Sequence, residues 1–311
     1  MDYIPIPEAA ARQIIDANTV FEEFLRVKEQ ARPYAGGMYW KRQGSYEYLV
    51  KTVGVRQKTL GNRSAETEST YEQFTARKRE LEARLKSLGQ QLQQTQRLNK
   101  AVKAGRVPSL AVAVLSAIEE AGLEEHFVVV GTHALYAYET AAGVRIVPEA
   151  LATQDVDLLR DARKRVRFLT DLKLSGPSML RVLQKADSTF RRKHGHQETA
   201  INDKGFEVDF LRRMPQADDP HPFRFSADEE DLWPIQANRA SVLTSAPRFR
   251  QVVISVTGNM AVMHTIAPRT FVEFKRWMSK QADREPIKRQ RDTRQAEIVT
   301  RLLEEGLLVE P

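Results

Sequence analysis

The 311-residue sequence contains no cysteine. That absence excludes a disulfide framework, thiolate metal sites and cysteine nucleophiles together. Long apolar runs are also missing. The longest, 110–117, is broken at Ser116 and falls far short of the roughly 18 residues that span a bilayer. The start, Met1-Asp2-Tyr3-Ile4-Pro5, has no basic region ahead of an apolar core, so no secretory leader is expected and a cytoplasmic place is. Neither charge sign is scarce, but 48 Lys and Arg against 41 Asp and Glu leave a net charge of +7. A surplus of that size is a tendency towards polyanions such as nucleotides or nucleic acid. Hydrophobic residues at 41% and charged residues at 29% suit a folded chain with one large domain or two modest ones.

Periodicity predicts a helix over 8–31, in which Ile14, Ile15, Val20, Phe21, Phe24, Leu25 and Val27 recur near helical spacing before Pro33. An aromatic hairpin is expected next, with Met38-Tyr39-Trp40 leading in and Tyr46, Tyr48, Leu49 and Val50 returning. Ser64 is placed to cap a long helix running to about Lys103. Its seam of Phe74, Leu81, Leu85, Leu88 and Leu92, with Lys78 the one charged member, needs a partner: the 8–31 helix or a second copy of the chain. Gly105 and Pro108 end this arm. The expected division is therefore a helical N-terminal region over 1–107, a core over 108–228 and a mainly helical C-terminal part over 229–311. In the core, helices and strands alternate: Leu110–Leu123, the strand Phe127–Val130, Ala134–Thr140, and further strands near Asp155–Leu159, Thr199–Asn202 and Phe206–Leu211. The pattern is that of an α+β fold.

Three segments carry chemistry. Val128-Val129-Val130 ends at Gly131-Thr132 and opens a helix, a joint where backbone N–H groups and the positive helix end suit a phosphate, although such turns are also common packing geometry. In Asp155-Val156-Asp157-Leu158, residues two apart share a strand face, so the two aspartates project together and Val156 and Leu158 face the core. Paired carboxylates repel unless a cation sits between them, and Mg²⁺ or Mn²⁺ is the natural one, while two solvated aspartates on an exposed edge are the plain alternative. Asp209, between Val208 and Phe210, adds a third acid, with Glu207 on the same face as a substitute or a salt-bridge neighbour.

In that order the three segments resemble the signature of the nucleotidyltransferase fold, the DNA polymerase β-like superfamily. The stretch 127–157, with Tyr136, Tyr138-Glu139, Gly143-Val144 and Thr153-Gln154, is similar to a bacterial nucleotidyltransferase-like family. Tyr39-Trp40-Lys41 and Leu60-Gly61-Asn62-Arg63-Ser64 look like that family as well. Two departures stand out: Thr132 occupies a position where Gly or Ser is commonest, and the long interval from Gly131 to Asp155 points to an insertion near 143–151. The resemblance implies a mixed sheet flanked by helices. It also implies Asp155, Asp157 and Asp209 as metal ligands and catalytic residues, with Gly131 and Thr132 at the phosphates of an NTP. Nucleotidyltransferase toxins of the abortive-infection type have a Lys on one helix and an Asp on the next near the triphosphate, and Lys275 and Asp292 look like those positions. The remaining cations of 268–291 read as a solubilising face.

His194 and His196 lie among Arg191, Arg192 and Lys193, where repulsion disfavours a metal, and His133 reads as a packing residue. The expectation is a metal-dependent nucleotidyltransferase moving an NMP from an NTP to an acceptor hydroxyl. RNA such as tRNA suits the basic surplus and aromatic hairpin, and a protein or small molecule is the other acceptor class. The competing expectations are a non-catalytic nucleotide- or nucleic-acid-binding regulatory protein with the same fold, and a nucleic-acid binder that dimerises through the long helix.

Overall fold

The computed structural model describes residues 2–54, 56–153, 155–160, 178–214, 224–226 and 228–311. Gln154, part of the motif ahead of Asp155, lies outside them. The chain divides into two compact units, one of Arg12–Leu98 and one of Met1–Ala11 with Asn99–Pro311.

The first unit holds most of helices α1 (Glu8–Ala31) and α2 (Ala65–Ala101) and an antiparallel sheet of β2 (Gly37–Gln43), β3 (Tyr46–Val53) and β4 (Arg56–Asn62). The strand preceding α1, β1 (Tyr3–Pro5), belongs to the other unit. Leu81 and Leu88 are buried with Val27 of α1, and Phe24, Ala31, Tyr34 and Leu85 pack around them. The leucine seam is therefore covered by α1. Lys78 interrupts that seam because its Nζ donates to the Gly36 carbonyl. Strand β4 adds to the expected hairpin a member with no apolar alternation to announce it.

In the second unit the apolar segment 109–120 forms α3 (Ser109–Glu120), which leads to β5 (Phe127–Val130) and α4 (Ala134–Ala141). The interval read as an insertion carries β6 (Val144–Ile146), which pairs with β1, and the short α5 (Pro148–Leu151). Next come β7 (Asp155–Arg160), α6 (Met179–Gln184), β8 (Arg191–Lys193), β9 (His196–Ile201) and β10 (Glu207–Arg212). The chain continues through β11 (Ile235–Gln236), α7 (Ala240–Ser245), β12 (Arg248–Ile254), β13 (Met260–Ile266), α8 (Pro268–Met278) and α9 (Pro286–Glu304). Eight described strands make one mixed sheet in the order β12-β13-β5-β7-β10-β9-β8, with β11 beside β10. β7 is antiparallel to β5 and parallel to β10. Strand β5 is buried throughout, and the alternation in β7 and β10 sends Val156, Leu158, Val208 and Phe210 into the core, where Phe127, Phe210 and Phe225 meet edge to face at 5.1–6.0 Å. Helices α8 and α9 pack on each other. The fold is α+β of the nucleotidyltransferase type. Among the described residues no helix is long and apolar enough to cross a membrane.

One buried carboxylate ties α4 to the segment that enters this unit. Glu139, 1% exposed, accepts from Arg106 Nε at 2.7 Å, from Arg145 at 3.2 Å and from the Ile146 N–H at 2.9 Å. Removing it leaves two guanidinium groups and an amide facing a void. Glu139→Ala is expected to cost about 3–5 kcal/mol, the usual loss when a buried ion pair is broken from one side. Thermal melting would then fall by roughly 6–20 °C for a unit of this size. A fall of only a degree or two would contradict the assignment of Glu139 as a structural node.

Candidate active site

The parallel register of β7 and β10 sets Asp157 opposite Asp209 and Asp155 opposite Glu207. Because both strands alternate with period two, the acids share one face. One carboxylate oxygen from each of Asp155, Asp157 and Asp209 lies within 4.8 Å of the other two. Glu207 is the salt-bridge neighbour of the pair of readings given above: Lys193 Nζ reaches its Oε1 at 2.6 Å.

Each outer acid is oriented by a threonine. Thr153 donates its hydroxyl to Asp155 Oδ1, and Thr199 donates to Asp209 Oδ1 at 2.6 Å. Each bond leaves the second carboxylate oxygen for other work. Asp157 stands between them, and its pKa is pushed up to about 7 by burial, by Asp155 and by Asp209, against the opposing pull of Lys275 and Arg284. Burial also raises Asp209, partly offset by the Thr199 hydrogen bond. A cluster that repels itself in this way, with three oxygen donors inside ion-binding range, fits a hard divalent cation.

The turn after β5 closes on this cluster. Val130 pairs with Asp157 across the sheet, and Gly131 follows with φ of +70°. A Cβ built on Gly131 would stand 2.2 Å from Asp157 Oδ2. Glycine is thus required twice here, once for the left-handed backbone and once for the approach of the carboxylate. Thr132 is buried, and its hydroxyl oxygen accepts from Gln295 Nε2 at 3.2 Å. The same amide nitrogen donates to the Ala150 carbonyl at 2.6 Å, and Gln295 Oε1 has no hydrogen-bond partner among the described residues.

A cleft of about 430 Å³ opens over Gly131, Thr132, Asp155 and Asp157. Asp209, beside Asp157 on the neighbouring strand, does not line it. The facing wall comes from α8, α9 and the segment joining them: Lys275, Arg284, Lys288 and Arg291, with Trp277 and Met278 at an apolar end. Lys275 is 3% exposed and bonds Asp292 Oδ1 at 2.9 Å, while Arg284 holds the other oxygen of Asp292, itself fully buried. Burial lowers the Lys275 pKa and the two aspartates, Asp292 and Asp157, oppose that shift. The helix-to-helix Lys–Asp pair expected from the resemblance is therefore in contact. Arg284, Lys288 and Arg291, read from sequence as part of a solubilising face, instead line the cleft.

His133 is 1% exposed and packs edge-on against Phe206. Burial lowers its pKa to about 4, against the pull of Asp155, so the ring is neutral near pH 7. His194 and His196 belong to the β8–β9 hairpin, with His196 Nδ1 3.2 Å from Glu198. Sequence reasoning missed Gln295 and Thr199. Neither gives a signal in the chain, since each acts through a partner more than ten positions away or on another strand.

A mixed sheet that presents three acids from two parallel neighbours beside a glycine turn, faced by a lysine-bearing helix, defines a nucleotidyltransferase-type protein. A family model described as Nucleotidyltransferase matches residues 109–310, and the chain belongs to that family. The N-terminal likeness at 39–41 and 60–64 lies outside the matched residues. Comparison with curated proteins and with solved structures gives no match.

Proposed function

We propose that the chain is a cytoplasmic, metal-dependent nucleotidyltransferase that moves an NMP from an NTP to a hydroxyl on RNA, tRNA being the kind of acceptor meant. The observation that carries this reading is the convergence of Asp155, Asp157 and Asp209 to within 4.8 Å opposite a wall of cations. The three acids, from the core over 108–228, would hold Mg²⁺ or Mn²⁺. Such an ion supplies Lewis-acid polarisation of the α-phosphorus and charge stabilisation on the departing pyrophosphate. Lys275, Arg284, Lys288 and Arg291, from the part over 229–311, set positive charge against the triphosphate. Gly131 and Thr132 present the backbone to its phosphates, and Gln295 fixes the Thr132 side chain from below. The acceptor hydroxyl then attacks the α-phosphorus as its proton passes to Asp209, the bond from the α-phosphorus to the oxygen bridging to the β-phosphate breaks, and pyrophosphate leaves.

The test is incubation with each α-labelled NTP, Mg²⁺ or Mn²⁺ and total RNA. Label is expected in RNA with the native chain and at background with Asp209→Asn, which keeps the Thr199 contact and removes the charge. Label in protein or metabolites would move the acceptor to those classes. An NTP that binds without any transfer would make the chain a non-catalytic nucleotide-binding protein.

A further inference from the structure

Gln295 of α9 is fully buried, yet only one end of its amide is satisfied. The nitrogen makes both bonds, to the Ala150 carbonyl at 2.6 Å and to Thr132 Oγ1 at 3.2 Å. Oε1 has no hydrogen-bond partner among the described residues. The Ala150 carbonyl decides which end of the amide is which. A carbonyl oxygen only accepts, so the group 2.6 Å away is the donor, and the reversed amide would set two acceptors against each other. That carbonyl is itself held in place. Arg291, one turn earlier on α9, donates to the Ala152 carbonyl at 2.7 Å and so fixes the same segment.

With one N–H committed to Ala150, the other meets Thr132 Oγ1, which therefore accepts. A hydroxyl that accepts still has its own proton to give. No group among the described residues takes that proton. Thr132 lines the cleft beside Gly131, on the side away from the cations of α8 and α9. A β-branched side chain also has few choices of χ1, which holds Oγ1 in its place. The proton is thus kept for an acceptor that enters the cleft, and a triphosphate is an array of charged acceptors. The orphaned Oε1 points the same way. A methionine would fill this buried space without an unpaired oxygen, so packing alone gives no reason for an amide here.

We propose that Gln295 is a positioning residue: by donating to Thr132 it turns that hydroxyl into a dedicated donor to a phosphate oxygen of the triphosphate. The inference rests on the nucleotidyltransferase reading above. It adds that α9 sets the hydrogen-bond direction in the turn after β5, and does more there than hold a side chain still.

Calorimetric titration of the full chain with inorganic tripolyphosphate and Mg²⁺ tests it, whatever the base or the acceptor. Gln295→Met keeps the volume and removes both donors, and Thr132→Val keeps the shape and removes the hydroxyl. Each is expected to weaken tripolyphosphate binding about tenfold, as loss of a hydrogen bond to a charged group does. The double variant is expected to bind no more weakly than Thr132→Val alone, because the amide then has nothing to act through. In a Thr132→Ser background, which keeps the hydroxyl, Gln295→Met should again weaken binding. A mere packing defect behaves differently, since its loss would multiply with that of Thr132→Val. In label transfer, Gln295→Met is expected to raise the KM for the NTP with little change in kcat, because the contact is made before and during the reaction alike. Gln295→Leu serves the same comparisons if the methionine variant does not fold. The inference is overturned if the Gln295 variant binds tripolyphosphate like the native chain, or if the two losses multiply. Label transfer by the native chain would in either case leave the nucleotidyltransferase reading standing. A native chain that binds neither tripolyphosphate nor any NTP would overturn both.

Discussion

Asp157→Asn is expected to abolish nucleotidyl transfer and, at the same time, to raise the melting temperature of the metal-free protein at pH 8. The second effect follows from linkage. Asp157 has its pKa raised to about 7 in the folded chain, whereas an unfolded aspartate titrates near 3.9. Between those values the folded state holds a proton that the unfolded state has released, so stability falls as pH rises through that window, and the loss is complete above pH 7. Asparagine removes the charge that burial and two neighbouring aspartates disfavour. The variant should melt above the native chain at pH 8 and converge with it as pH falls towards 4. Millimolar Mg²⁺ should reverse the order by stabilising the native chain alone, and its affinity for the native chain should weaken below pH 7, where a proton competes for the same oxygen. Thermal melts across pH, with and without Mg²⁺, give all three readings. An asparagine variant that melts below the native chain at pH 8 without metal would show that the three acids do not strain one another.

The second large effect is expected at Gly131. Alanine there must hold φ near +70°, a cost of about 1–3 kcal/mol for a residue with a Cβ. The added carbon also meets Asp157 Oδ2 at 2.2 Å, far inside contact distance, so the carboxylate or the turn has to move. Displacement of about 1 Å at a reacting centre can lower a rate about 10²-fold. Gly131→Ala should therefore fold, melt a few degrees lower, bind Mg²⁺ poorly and transfer label at no more than about a hundredth of the native rate. Transfer at the native rate would mean that this turn is not part of the reacting centre.

How much of this was legible before folding differs from residue to residue. Asp155 and Asp157 were readable as a pair because strand alternation is local, and Val156 and Leu158 marked the buried side. The helix Glu8–Ala31 was readable for the same reason. Strand β4 was not, because Arg-Gln-Lys-Thr-Leu-Gly-Asn has a single large apolar residue, Leu60, and is exposed almost everywhere, which leaves no hydrophobic period to detect. Strands β1 and β6 are three residues each and gain their definition from each other, across about 140 positions of chain. The cations of 284–291 carry no mark that separates a cleft wall from a solvated surface. Only the packing of α9 on α8, with Asp292 buried beneath Lys275 and Arg284, turns them towards the acids.

By itself the sequence determined the short-range features: period-two alternation around the aspartates, the glycine after a run of valines, the leucine seam and the absence of thiols. Each depends on neighbours within a few positions. The tertiary structure alone decided that Asp209 joins the other two acids, since that requires β10 to lie parallel to β7 in one register. It alone decided that Lys275 meets Asp292 and that Gln295 reaches Thr132. Those contacts join segments 17 and 163 positions apart, and the burial that strengthens them exists only after the chain has closed.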